Sequence, residues 1–136
     1  MSTEPAHFSL IEGGTFMPTP FAQSHWGDDH LNGPAVVGLA ARALENHCGA
    51  PDFIPTRFTA DLFRAARNVP TTIDVRVVRD GRRVRSAECD VVQDGRTVTR
   101  ATWGPFGTGI VTAVANPAAQ IDFSSESIPL KGLNYE

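Results

Sequence analysis

The chain has 136 residues, of which 41% are hydrophobic and 20% charged, and its net charge is −3. This length predicts one globular domain, large enough to bury a core without disulfides or metal ions. The small negative charge gives no general attraction to nucleic acid, and no stretch approaches the roughly 20 apolar residues of a membrane span. Two cysteines make no disulfide framework, and the first residues lack a signal-peptide pattern, so the sequence predicts a soluble, cytoplasmic protein.

Positive charge is concentrated in the middle of the chain. Residues 57–100 hold ten of the twelve basic residues, all of them Arg, against six acidic residues. Such a stretch is typical of a solvated sheet face. It is also compatible with a dock for a phosphorylated ligand, because the guanidinium fork matches phosphate oxygens.

The first third of the chain predicts a hairpin followed by a loop. Gly13-Gly14 separates two short extended pieces within residues 7–17, which is a turn signal. Residues 18–32 are rich in Pro, Asp and His and have no periodicity. They predict a loop that carries most of the polar functional groups of this region.

The clearest helix follows this loop. Asn32 or Gly33 can cap its start, Pro34 suits its first turn, and Gly49 fits just beyond its C-terminus. No charged side chain occurs from Gly33 to Ala41, so we expect a helix that is apolar nearly all round and is wrapped by the rest of the protein.

Alternating apolar and polar residues predict what surrounds the helix. Residues 53–63, 71–78, 84–92 and 96–106 read as half-buried antiparallel strands. Asp80-Gly81 and Asp94-Gly95 are hairpin signals between them, so we expect a meander of about four strands. After Gly107, the segment TGIVTAVA is compatible with one more strand, and the remainder reads as a linker-like tail.

An antiparallel sheet curled around one long helix is the hotdog fold, an α+β architecture that we assign to residues 1–106. Residues 32–43 and 57–103 resemble the N-terminal hotdog half of bacterial acyl-CoA thioesterase II-type proteins, and the segment MPTPFAQSHWGDDH resembles actinobacterial-style members of that superfamily. The resemblance rests on the order and spacing of four motifs: Asn32-Gly33-Pro34, Leu62-Phe63-Arg64-Ala65, Arg79-Asp80-Gly81 and Gln93-Asp94-Gly95.

The resemblance implies a protein that hydrolyses or binds acyl thioesters of coenzyme A, without a cofactor and without a nucleic-acid or membrane partner. It also implies a second hotdog, supplied by a homodimer or by a separate C-terminal half, because these folds pair edge to edge. In two-domain relatives the catalytic Asp, Thr/Ser and Gln lie mainly in the C-terminal half. Here Trp103 occupies the position of the last-strand Gln, so the alternative is a non-catalytic scaffold half.

Thioester hydrolysis needs donors for a developing oxyanion and a base for water. The helix start supplies backbone N–H groups at Gly33 and Ala35, and the preceding loop supplies Asp28, Asp29 and His30 as candidate bases. A well-made helix start and a solvated loop explain the same residues without function. The candidate substrate-binding residues are Asn32, Gly33, Arg64, Arg82, Arg83 and Trp103.

Other chemistries have weaker support in the sequence. The ligand-type residues His25, Asp28, Asp29 and His30 match no familiar metal spacing, so no metal site is predicted. A serine nucleophile is not expected because the chain contains no G-x-S-x-G motif. A hotdog dehydratase is less favoured, because no His-x-x-x-x-Asp pair begins a helix.

Overall fold

The computed structural model describes residues 6–107, and the structural statements below concern that part of the chain. In chain order its elements are β1 (Phe8–Leu10), β2 (Phe16–Pro18), α1 (Gly33–Cys48), β3 (Phe53–Leu62), β4 (Thr71–Asp80), β5 (Arg85–Gln93) and β6 (Arg96–Gly107). The six strands form one antiparallel sheet, in the order β1-β2-β4-β5-β6-β3, that packs against α1. This arrangement confirms the predicted α+β hotdog fold. The predicted strand TGIVTAVA lies outside the described residues.

Helix α1 begins and ends where its capping residues predict. Asn32 is the N-cap, and its Oδ1 accepts a hydrogen bond from the Ala35 N–H at 2.8 Å. At the other end, the Gly49 N–H donates to the Glu45 carbonyl at 2.8 Å. No helix among residues 6–107 is long and apolar enough to cross a membrane.

One chain buries only one face of α1. The buried helix residues, which face the sheet, are Ala35, Val36, Leu39, Ala40 and Leu44. Pro34 and Gly38 are exposed although they carry no charge. The expectation of a helix wrapped all round was therefore wrong for a single chain, because one curled sheet covers one side of a helix only.

The connectivity of the sheet also differs from the predicted four-strand meander. Strands β4, β5 and β6 follow one another as neighbours, but β3 pairs with β6 and not with β4. Residues 63–70 carry the chain from β3 at one edge, across the sheet, to β4. Strand β3 consequently forms a ten-residue edge of the sheet.

Two of the three turn signals adopt the positive φ values that favour glycine in turns. Gly13 and Gly14 both adopt positive φ values, 68° and 75°, between β1 and β2. Asp94 and Gly95 adopt φ values of 50° and 71°, the left-handed pair that a two-residue hairpin requires. Asp80-Gly81 does not form such a turn, since residues 81–84 make a longer connection between β4 and β5.

The two faces of the sheet have different chemistry. Toward α1 lie buried side chains that include Cys89, Val91, Ala101 and Trp103. On the outer face, Asp90 accepts hydrogen bonds from Arg100 Nε at 2.7 Å and from Arg76 Nη2 at 3.2 Å. The hydrogen bond from Arg100, together with that from Arg76, lowers the pKa of Asp90 to about 2. This charged network explains part of the concentration of Arg in the middle of the chain.

Candidate functional site

A cavity of about 280 Å³ lies at the N-terminal end of α1. We call it the N-terminal cavity; its lining residues are Leu31, Gly33, Val36, Leu62, Arg64, Ala65, Ala66 and Thr99. They come from the helix start, the end of β3, the connection after β3, and β6. Apolar walls therefore meet one cationic side chain and one hydroxyl at the positive end of the helix dipole.

The backbone donors of this helix end are not equally available. Asn32 Oδ1 occupies the Ala35 N–H, and Pro34 has no N–H to offer. The prediction that Ala35 serves as a donor to a ligand is therefore wrong, because the capping side chain has taken that proton. Among residues 6–107 no backbone acceptor outside the helix bonds the Gly33 N–H, so Gly33 is the donor that can meet a ligand.

Asn32, predicted to bind substrate, is occupied within the fold. Its Nδ2 donates to the carbonyl oxygen of Ala22 at 3.1 Å, with longer contacts to the carbonyls of Phe21 and Gln23. With Oδ1 on Ala35, both ends of the amide hold the pre-helix loop against the helix. This arrangement supports a positioning role more than direct contact with a ligand.

The candidate bases lie beside the N-terminal cavity but do not line it. Asp28 is exposed. Asp29 Oδ1 accepts the Asn68 N–H at 3.1 Å, and Oδ2 lies 3.6 Å from Arg67 Nη1. Asp29 thus ties the pre-helix loop to the connection after β3, so its carboxylate already has partners.

His30 is half-buried and adjoins the same connection. Its backbone forms an isolated bridge with Arg67, and its ring packs so closely against Gly27 that a Cβ at position 27 would overlap Nδ1. Nδ1 is buried without a hydrogen-bond partner among the described residues. The ring is therefore held by packing, and its predicted catalytic role stays a prediction.

The other predicted binding residues lie at the opposite end of α1. Trp103 is 4% exposed and lines three cavities, of about 180, 310 and 360 Å³, beside the C-terminal half of the helix. Arg82 and Arg83 lie in the β4–β5 connection, where the Arg83 carbonyl accepts the Gly107 N–H at 2.7 Å. A 16-residue helix is about 24 Å long, so these three residues do not join Gly33 and Arg64 in one site.

Neither thiol of the chain is set up as a nucleophile. Burial raises the pKa of Cys89 to about 11, and burial also raises the pKa of Cys48. Both groups stay protonated at neutral pH, and a thiol is a much weaker nucleophile than a thiolate. Within residues 6–107 no cluster of three or more His, Cys, Asp or Glu residues has a geometry that could hold a metal ion.

Two residues near the N-terminal cavity, Gln93 and Thr99, were not among the candidate site residues of the sequence analysis. Gln93 is 5% exposed; its Oε1 accepts the Arg67 N–H at 2.8 Å, and its Nε2 donates to the Arg67 carbonyl at 2.9 Å. Gln93 thereby anchors the connection that forms one wall of the cavity. Thr99 lines the cavity itself, but it sits in a strand with threonines on both faces, so alternation alone gave it no special weight.

Residues 22–106 match the family model described as the acyl-CoA thioesterase N-terminal domain, and this range contains α1, β3 to β5 and nearly all of β6. No curated protein matches the chain.

Solved structures share the fold at low sequence identity. A Streptococcus mutans protein bound to acetyl CoA is 20% identical with a TM-score of 0.61, covering 79% of this chain and 92% of its own. A Bacillus halodurans protein solved with CoA is 16% identical with a TM-score of 0.60, covering 68% and 64%. A Helicobacter felis protein is 11% identical with a TM-score of 0.59, covering 75% and 77%. At these identities the likeness concerns the fold alone.

Proposed function

Since the chain belongs to the acyl-CoA thioesterase N-terminal domain family, we propose that it binds an acyl thioester of coenzyme A in the N-terminal cavity and takes part in its hydrolysis as one half of a hotdog pair. One observation carries the proposal: the N-terminal cavity joins apolar walls to the Gly33 N–H, which has no backbone acceptor outside the helix among residues 6–107, at the start of a half-buried helix. A thioester has the matching chemistry, an apolar acyl chain beside a polar carbonyl.

The Gly33 N–H is the group that would act on the carbonyl. Attack on a thioester moves negative charge onto the carbonyl oxygen, and a backbone donor at the positive end of a helix stabilises that charge. A Cβ at position 33 would meet Leu62 Cδ1 at 3.6 Å, so the missing side chain leaves room for a ligand against the backbone.

The size of the N-terminal cavity bears on which part of the ligand enters it. A volume of about 280 Å³ lies at the lower limit of pockets that enclose a drug-sized ligand. The acyl group and thioester fit this description, whereas the nucleotide of coenzyme A would lie outside. Arg64 lines the cavity and is exposed, so its guanidinium can meet a phosphate at the surface.

The second hotdog of the pair would join through β3. Within residues 6–107 this strand pairs on one side only, with β6, and Ile54, Phe58 and Leu62 on it are 41%, 36% and 56% exposed. A long edge strand with exposed apolar side chains is a template for pairing with another chain. The uncovered face of α1 lies beside the same edge, where Gly38, Ala41 and Phe58 share a cavity wall.

A non-catalytic role is the second candidate, and one observation favours it. Among residues 6–107 no Asp or Glu lines the N-terminal cavity, and Asp29 is engaged by Asn68 and Arg67. The chain would then hold the acyl-CoA, or support its partner, while the other hotdog supplies the base. The two free thiols suit a reducing, cytosolic setting for either role.

Two measurements test the proposed function. Thiol release from acyl-CoAs of increasing chain length, by the purified chain alone and with a C-terminal hotdog, measures hydrolysis, while calorimetry with the same ligands measures binding. Binding with turnover supports the enzyme, and binding without turnover in either form supports the scaffold half. Absence of both contradicts the proposal. Light scattering of the wild type against Phe58→Lys tests pairing through β3, and an unchanged mass would contradict that interface.

A further inference from the structure

Thr99 presents a buried hydroxyl without a partner. The residue is 1% exposed on β6, between Leu62 of β3 and Val91 of β5. Its Oγ1 makes no hydrogen bond to any residue of the described chain, 6–107. Buried side-chain hydroxyls nearly always have a partner, so this one requires an explanation.

A comparison within the same sheet shows that burial alone does not cause this. Thr71 is also 1% exposed, yet its Oγ1 donates to the Val69 carbonyl at 3.0 Å and accepts from Gln93 Nε2 at 2.9 Å. The fold therefore satisfies one buried threonine twice and leaves the other unsatisfied. The unsatisfied one lines a cavity.

This cavity is the N-terminal cavity, which the start of α1 lines. Thr99 and Gly33 both line the N-terminal cavity, and each has a donor with no acceptor among residues 6–107. The remaining lining residues are apolar apart from Arg64. Two donors without an acceptor among residues 6–107, in a lining that is apolar apart from Arg64, match a ligand that brings a single acceptor oxygen.

We propose that the Thr99 hydroxyl donates a hydrogen bond to the carbonyl oxygen of the bound acyl group, alongside the Gly33 N–H. This inference rests on the proposed function and adds a residue that reads the carbonyl. It makes Thr99 a determinant of specificity, because a ligand without the carbonyl leaves the hydroxyl as unsatisfied as it is in the empty protein. The Thr99 side chain supplies no base and forms no covalent bond in this role.

The test uses two hydrolysis-resistant ligands that differ only at the carbonyl. One is the ketone analogue of an acyl-CoA, with CH₂ in place of sulfur, and the other has CH₂ in place of the carbonyl as well. Calorimetry compares their binding to the wild type and to Thr99→Val, Thr99→Ser and Thr71→Val. Thr99→Ala repeats the test in case valine disturbs the packing.

The expected pattern is specific to the proposed contact. Thr99→Val and Thr99→Ala should weaken the ketone about 5- to 10-fold, the value of one neutral hydrogen bond, and leave the carbonyl-free ligand unchanged. Thr99→Ser should retain wild-type affinity. Thr99→Val should melt no lower than the wild type, since it removes an unpaired hydroxyl, whereas Thr71→Val should melt lower and bind the ketone normally.

The failures are distinguishable. If the wild type binds the ketone and Thr99→Val binds it equally well, the role of Thr99 is overturned while the proposed function stands. If the wild type binds neither ligand, both are overturned. Equal weakening of both ligands by Thr99→Val would mean that the side chain only shapes the cavity, which also overturns the contact.

Discussion

Gln93→Met tests whether a single side chain holds the wall of the N-terminal cavity. The two side chains are similar in volume, but methionine removes the bonds to the Arg67 N–H, the Arg67 carbonyl and Thr71 Oγ1, each of 2.8 or 2.9 Å. At roughly 1 kcal/mol for each bond, the free energy of unfolding should fall by about 3 kcal/mol. A domain with a total stability of 5–15 kcal/mol would lose a substantial share of it.

The measurement is urea denaturation followed by tryptophan fluorescence. An equal dependence of the unfolding free energy on urea concentration in variant and wild type checks that both unfold in two states. Asp94→Asn is the matched control, because it lies in the adjacent turn, is exposed, and asparagine tolerates its positive φ of 50°. The control should change stability by less than about 0.5 kcal/mol. A loss below about 1 kcal/mol in Gln93→Met would refute the anchoring role.

The variant should also lose affinity for acyl-CoA. The Ala66 carbonyl accepts the Leu31 N–H at 2.9 Å, so the connection that Gln93 holds is bonded to the loop before α1. Loosening that connection therefore disturbs Leu31 and Ala66, which both line the N-terminal cavity. Normal affinity in a destabilised Gln93→Met protein would show that the cavity does not depend on this anchor.

Three further predictions concern the site and the sheet. Gly33→Val should raise KM at least tenfold, because its side chain blocks ligand approach to the backbone. It should lose little stability, because the nearest atom to a Cβ there is 3.6 Å away, and Gly33→Ala should give an intermediate KM. Steady-state kinetics that match the wild type would exclude ligand approach at this backbone. Asp28→Asn or Asp29→Asn should lower kcat about 10²-fold, which is the contribution of a general base. Full activity in both variants would mean that the base lies on the partner hotdog. Hydrogen bonds from Arg100 and Arg76 hold the pKa of Asp90 near 2, against 3.8 ordinarily, so the carboxylate stabilises the fold above about pH 4 and this contribution is lost as the pH falls toward 2. The full pKa difference corresponds to at most ~2.4 kcal/mol, and solvent screening of the partly exposed Arg76 and Arg100 side chains leaves about 1 kcal/mol. Asp90→Asn should therefore be about 1 kcal/mol less stable than the wild type at pH 7 in urea denaturation and equal to it near pH 2; a gap that persists at low pH would contradict the ion pair.

Local signals account for most of the fold. The Asn32 cap, Pro34 and Gly49 gave the bounds of α1, and Asp94-Gly95 gave its hairpin, because each acts through bonds within a few residues. The position of β3 could not be predicted in this way. Alternation shows that a strand has a buried face, but it does not state which strand is its neighbour, and β3 is followed by eight residues rather than a tight turn.

The candidate site was only partly predictable for a related reason. Gly33 and Arg64 were identified from local motifs, and the structure brings both to the N-terminal cavity. Arg82, Arg83 and Trp103 were grouped with them by chemistry alone, and the path of the sheet places them at the other end of α1. Thr99 became visible only through the absence of a hydrogen-bond partner, which depends on three-dimensional contacts.

The pairing of β3 with β6 has a consequence for the order in which the molecule forms. Strands β4, β5 and β6 join through short connections and can associate early, whereas Phe58 must pair with Trp103 across 44 intervening residues. Closing a long loop is slower than closing a hairpin, so β3 is expected to dock after β4, β5 and β6 have associated. During synthesis β3 leaves the ribosome well before its partner β6. The apolar side chains of β3 stay exposed to solvent until β6 has been synthesised. During this interval the nascent chain most needs the protection of a chaperone.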